Sequence, residues 1–131
     1  MKTRFDIWVD KMIVELNNNA NRYTSVSSPD TTFCYDKRTG KIGMARRHPD
    51  DKPKFSIGKA IAYARCRGYE VPRQTSLKYL HNMKNGDKFY YFGGKLAVYI
   101  GRYVDSGFVY HAFFYDGKLC GGIDREYEVI E

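Results

Sequence analysis

From Lys84 to its C-terminus the chain alternates short aromatic and β-branched runs with glycine turns, and this rhythm constrains the fold more than any other feature. The runs are Lys88–Phe92, Leu96–Val104, Phe108–Tyr115, Lys118–Ile123 and Tyr127–Ile130, with Gly93-Gly94, Asp105-Ser106-Gly107 and Asp116-Gly117 between them. Asp-Gly between such runs is a strong hairpin signal, because both residues tolerate the positive φ of a tight turn. Five short strands in this span predict a small, curled antiparallel sheet or barrel.

The first half reads differently. Phe5, Trp8, Val9, Met12, Ile13 and Leu16 recur at helical spacing, with Asp6, Asp10, Lys11 and Glu15 off the stripe. That pattern predicts an amphipathic helix over about residues 4–17. Residues 18–30 are rich in Asn and Ser, carry the turn signal Pro29-Asp30, and read as a loop. Thr31–Tyr35 and Ile42–Arg46 flank Asp36-Lys37-Arg38-Thr39-Gly40-Lys41, a β-hairpin with Gly40 in the left-handed position. His48-Pro49-Asp50-Asp51-Lys52-Pro53 cannot continue a strand, and Asp50 and Asp51 read as turn or capping carboxylates. A second helix is expected over about 56–67, capped by Ser56, stopped by Gly68, and buried along Ile57, Ala60, Ile61 and Ala64. Val71-Pro72 breaks the chain, and Ser76–Met83 reads as a short connecting helix.

The expected fold class is α+β: an N-terminal helix, a β-hairpin and a second helix, then a small five-stranded antiparallel sheet or barrel. The expected divisions are a lobe over residues 1–72, a connecting helix over 73–83 and a β lobe over 84–131. The β lobe's entry, Asn85-Gly86-Asp87-Lys88-Phe89, resembles the start of an SH3-like barrel in pattern.

Charge separates the chain more sharply than hydropathy does. Residues 36–67 hold ten Lys and Arg against three Asp, which accounts for the whole formal net charge of +7. Such a segment makes a local positive field that attracts phosphates or an acidic protein surface. The candidate contacts are Lys37, Arg38 and Lys41 at the hairpin tip, Arg46 and Arg47 at the strand end, and Lys59, Tyr63 and Arg67, four apart on the second helix. The last three are expected to form a basic–aromatic–basic ridge, with Arg offering bidentate phosphate contacts and Tyr a stacking plane.

Catalytic and metal chemistry find no comparable pattern. Cys34, Cys66 and Cys120 are odd in number and form no Cys-x-x-Cys pair, which argues against a disulfide framework or a zinc site. His48, His81 and His111 fall in no ligand spacing, and no nucleophile elbow or phosphate-binding glycine loop occurs. Asp124, Glu126 and Glu128 would gather a divalent ion only if one face of a strand held all three. No catalytic residue, metal or cofactor is therefore expected, and the chain reads as a binding protein rather than an enzyme. Its apolar runs are short for a membrane-spanning helix, and its N-terminus lacks a signal-peptide succession. No membrane association is expected, and the expected compartment is the cytoplasm.

The stretch Gly40-Lys-Ile-Gly-Met-Ala-Arg-Arg-His-Pro-Asp-Asp-Lys, continuing through Phe55-Ser-Ile-Gly-Lys-Ala-Ile-Ala-Tyr-Ala-Arg65, resembles a unit of small phage and prophage accessory proteins. In that unit a glycine hairpin runs into a Pro-Asp-Asp turn and an alanine-rich helix. Here Lys52-Pro53-Lys54 stands where acidic residues are common in its relatives. Such proteins include inhibitors of host defence, anti-CRISPR proteins among them. The resemblance implies a phage-type inhibitor whose partner is a host defence nuclease (a Cas effector) or its guide or target nucleic acid. Two other readings fit the charge: a stand-alone DNA- or RNA-binding module for phage replication or transcription, and a sponge for a phosphorylated nucleotide signal.

Overall fold

The computed structural model describes residues 2–47 and 55–131, which form two compact units, Lys2–Pro72 and Arg73–Glu131. His48, the Pro49-Asp50-Asp51 turn and Lys52-Pro53-Lys54 lie outside the described residues.

The first unit begins with α1 (Arg4–Asn18). Thr3 caps it through a reciprocal box: its Oγ1 accepts from the Asp6 N–H at 3.1 Å, and the Asp6 carboxylate accepts from the Thr3 N–H at 3.2 Å. The predicted stripe faces inward, with Phe5, Val9, Met12 and Leu16 buried and Trp8 and Ile13 packed beside them. Next come β1 (Tyr23–Ser27), β2 (Thr31–Asp36) and β3 (Ile42–Arg46), an antiparallel sheet in the order β1-β2-β3. The hairpin of β2 and β3 and the positive φ of Gly40 agree with the sequence reading. β1 corrects it. The Asn- and Ser-rich segment is strand over Tyr23–Ser27, because these residues find backbone partners along all of Asp36 through Thr32. Pairing overrides local composition there.

α2 (Phe55–Arg67) lies against the sheet on one side and against α1 on another. It starts one residue before Ser56, which therefore sits in the first turn and is not the cap expected of it. Gly68, with φ 75°, ends the helix as predicted. The approach of α2 to the sheet is set by glycine. A Cβ at Gly43 would lie 2.1 Å from the Ala62 carbonyl oxygen and 2.4 Å from the Cys66 nitrogen. The face under the helix is accordingly small, with Cys34, Gly43 and Ala45 against Ala60, Ala62 and Ala64. This close fit dictates the sheet's orientation. β2 must turn Thr32, Cys34 and Asp36 inward, so Phe33 and Tyr35, one residue off, face out.

The second unit is an antiparallel six-stranded sheet: β4 (Thr75–Tyr79), β5 (Lys88–Tyr90), β6 (Leu96–Asp105), β7 (Phe108–Tyr115), β8 (Lys118–Gly122) and β9 (Glu126–Ile130). Their order is β4-β9-β5-β6-β7-β8. The five expected strands are all present, and the sixth corrects the connecting helix. Thr75–Tyr79 pairs along β9, and only Leu80–Asn82 makes a short 3₁₀ turn. Neither sheet closes on itself, so a five-stranded SH3-like barrel is not confirmed. Phe89, Phe113, Val129 and Leu80 form the centre of this unit's own core.

Among the described residues no helix is long and apolar enough to cross a membrane.

Candidate nucleic-acid interface

The cationic hairpin tip is built around an acid. Asp36 ends β2 with its side chain turned inward, where Arg22 grips it with Nε and Nη2, each at 2.9 Å. The same carboxylate accepts from the Thr39 hydroxyl at 2.8 Å and the Arg38 N–H at 3.0 Å. Arg22, Thr39 and the Arg38 N–H hold its pKa well below the usual carboxylate range, outweighing the opposing effect of burial. Asp36 therefore shapes the turn without neutralising Lys37 or Arg38, whose side chains are exposed.

This arrangement has an acid limb. A carboxyl whose folded pKa is depressed contributes stability that is present above its unfolded value, near 3.9, and is lost as pH falls through the folded one. Wild-type melting temperature, followed by circular dichroism, should fall steeply below about pH 4. Asp36→Asn should melt lower at neutral pH and show a flatter acid limb. Equal acid slopes in the two proteins would refute the role given to Asp36.

The other sequence-named residues separate into two groups. Lys41 and Arg46 are exposed, and Arg46 stands on the outward face of β3 opposite Thr31. Lys59 is half-buried on α2. Among the described residues no carboxylate pairs with Lys37, Arg38, Lys41, Arg46 or Lys59. Arg47 is half-buried and donates from Nε to the Pro29 carbonyl at 3.1 Å, bracing the turn before β2.

Tyr63 and Arg67 do not form the expected ridge. Tyr63 is fully buried, with 0% of its surface exposed, edge-on to Tyr23 at 5.2 Å. Its hydroxyl donates to Glu15 Oε1 at 2.9 Å, and burial pushes its pKa up to about 12. Arg67 donates to that same oxygen at 3.1 Å and to the Tyr63 hydroxyl at 2.9 Å. Its guanidinium lies 5.1–5.8 Å from the rings of Tyr23, Tyr63 and Tyr69. Tyr69 also donates to Glu15, which lowers the carboxyl's pKa first through that bond, then against burial through Tyr63 and Arg67. Arg67 thus fastens α2 to α1. Spacing of four is real in the sequence, but α1 covers that side of the helix.

The structure shows a surface that sequence reasoning missed. The outward residues of the first sheet are Thr24, Val26, Thr31, Phe33, Tyr35, Ile42, Met44 and Arg46, none of them acidic. The only signal was the alternation in Thr31–Asp36, which normally buries its aromatic members.

In the second unit His111 is buried with Nδ1 2.8 Å from the Tyr99 hydroxyl, and burial lowers its pKa. Asp124 is held by the backbone N–H and Nδ1 of His81, on a segment ahead of the strand that carries Glu126 and Glu128. Among the described residues no cluster of three His, Cys, Asp or Glu has a geometry that could hold a metal ion. Burial, then the neighbouring Cys66, pushes the Cys34 thiol up to about 12.

No family model, curated protein or solved structure matches this chain.

Proposed function

We propose that this is a non-catalytic binding protein that engages nucleic acid, free or within a guide–nuclease complex of a bacterial defence system, through the cations of its first unit. In the phage setting that the hairpin–turn–helix resemblance implies, it would inhibit that nuclease by occupying the nucleic acid or its channel. One observation carries the reading. Lys37, Arg38, Lys41, Arg46 and Lys59 lack carboxylate partners among the described residues, whereas the structured acids Asp36 and Glu15 are consumed internally. Residues 2–72 carry fourteen Lys and Arg against eight Asp and Glu, six of the chain's seven net positive charges. Unpaired cations keep their favourable exchange with phosphate, and each phosphate contact releases condensed counterions.

The test is a cleavage assay with a purified bacterial guide–nuclease complex, run beside direct binding to oligonucleotides. With four or five phosphates engaged, log affinity should fall with log salt at a slope of roughly −3 to −4. Reversing Lys37, Arg38 and Arg46 to Glu together should abolish binding and inhibition while leaving the melting temperature close to wild type, because all three are exposed. Undiminished binding and inhibition by that triple variant would remove these cations from the mechanism.

A further inference from the structure

We infer that the outward face of β1–β3 is a platform for single-stranded nucleic acid, with bases on Phe33 and Tyr35 and phosphates on the cations at its ends. The inference rests on the nucleic-acid reading above and names the ligand class and the face.

Phe33 and Tyr35 stand on the central strand with 43% and 41% of their surface exposed. Register places Val26, Phe33 and Met44 in one row across the sheet and Thr24, Tyr35 and Ile42 in the next. Val26 and Ile42 are 67% and 60% exposed. An open apolar face of this kind marks a binding surface, and its surroundings indicate the occupant. Arg46, opposite Thr31, lies one row beyond Phe33, and Lys37, Arg38 and Lys41 lie in the turn just past Tyr35 and Ile42. Ile42 and Arg46 are four residues apart, roughly 14 Å by strand rise. The face therefore has an uncharged, ring-bearing middle and positive ends.

That pattern fits an extended strand of nucleic acid better than its rivals. A duplex hides its base faces, and its bases stack at about 3.4 Å per residue. Phe33 and Tyr35, two residues apart, are spaced roughly 7 Å, which suits bases drawn apart and laid singly on the rings. A purely apolar protein surface would cover the middle but would leave cations at both ends without partners. Aromatic stacking with flanking positive charge also gives sequence-tolerant binding, because every base has a π-face.

The experiment measures fluorescence anisotropy of a labelled oligo(dT), and of a duplex of equal length, with the full chain. Oligo(dT) should bind more tightly than the duplex. Phe33→Ala and Tyr35→Ala should each lower its affinity by about five- to a hundredfold, and Arg46→Ala should reduce the salt slope by about 1. Tyr35→Leu, which keeps apolar bulk but no π-face, should fall with Tyr35→Ala, so a packing defect cannot imitate the result. Wild-type affinity in both aromatic variants would overturn the platform, and so would a preference for duplex. If those variants bind normally while Lys37→Glu and Arg38→Glu do not, the cationic reading stands and this face is excluded. If the wild type binds neither probe, both readings fall. Self-association that Phe33→Ala abolishes, without oligonucleotide binding, would make the face a contact between copies and overturn the inference.

Discussion

Gly43→Ala should destabilise the first unit by about 3 kcal/mol or more, at or above the upper end of ordinary overpacking costs. Most core insertions find relief by turning a side chain. Here the added methyl would meet backbone, 2.1 Å from the Ala62 oxygen and 2.4 Å from the Cys66 nitrogen. No rotamer change removes that clash. Either α2 lifts away from β2 and β3, or β3 moves out of register with β2. Both moves uncover Cys34, Ala60 and Ala64, which are fully buried. A unit of this length is stable by only roughly 4–10 kcal/mol, so the loss is a large part of the whole. Trp8, the chain's single tryptophan, packs against the same core, which makes its fluorescence in urea a local probe of the transition. Gly101→Ala, on β6 of the second unit where a Cβ has no neighbour within 4 Å, is the control and should leave the Trp8 transition at the wild-type midpoint. A Gly43→Ala midpoint equal to wild type would mean that helix and sheet do not meet as described.

Phe89→Ala should be as damaging to the second unit, by about 3–5 kcal/mol. Phe89 is fully buried, with its ring 5.3 Å from Phe113, 5.1 Å from Tyr127 and 6.3 Å from Tyr91. Truncation removes the shared member of three aromatic contacts and leaves a cavity that neighbours on three different strands or turns would have to move to fill. A unit of this size is stable by roughly 3–9 kcal/mol, so little would remain. Amide exchange should report lost protection in β5, β6 and β9, the strands that meet at Phe89. Phe114→Ala, on a half-exposed ring of the same sheet, should change protection far less. Retained protection in the Phe89 variant would place the centre of this core elsewhere.

Both units show where local signals suffice. α1 was legible because its apolar stripe and the polar remainder agree on one helix. The β2–β3 turn was legible because Gly40 supplies a conformation that other residues adopt at a cost, and Gly68 ended α2 for the same reason. β1 and β4 were not legible. Each is ordered by a strand partner, the neighbouring β2 for one and the distant β9 for the other, and neither carries a strong pattern of its own. The interface followed the same division. Lys37, Arg38 and Arg46 could be named from charge, but the ridge through Tyr63 could not be checked without knowing which side α1 covers.

Composition and periodicity alone established α1, α2, the β2–β3 hairpin and the many-stranded second half of the chain, and the confinement of its net positive charge to the middle third. Those properties depend on neighbours along the chain. What tertiary structure decided was direction: Tyr63 inward to Glu15, Phe33 and Tyr35 outward to solvent. The cause is a steric one that no window of sequence displays. Only small residues of β2 and β3 fit beneath α2, and an alternating strand that turns these inward must present its aromatic rings on the other face.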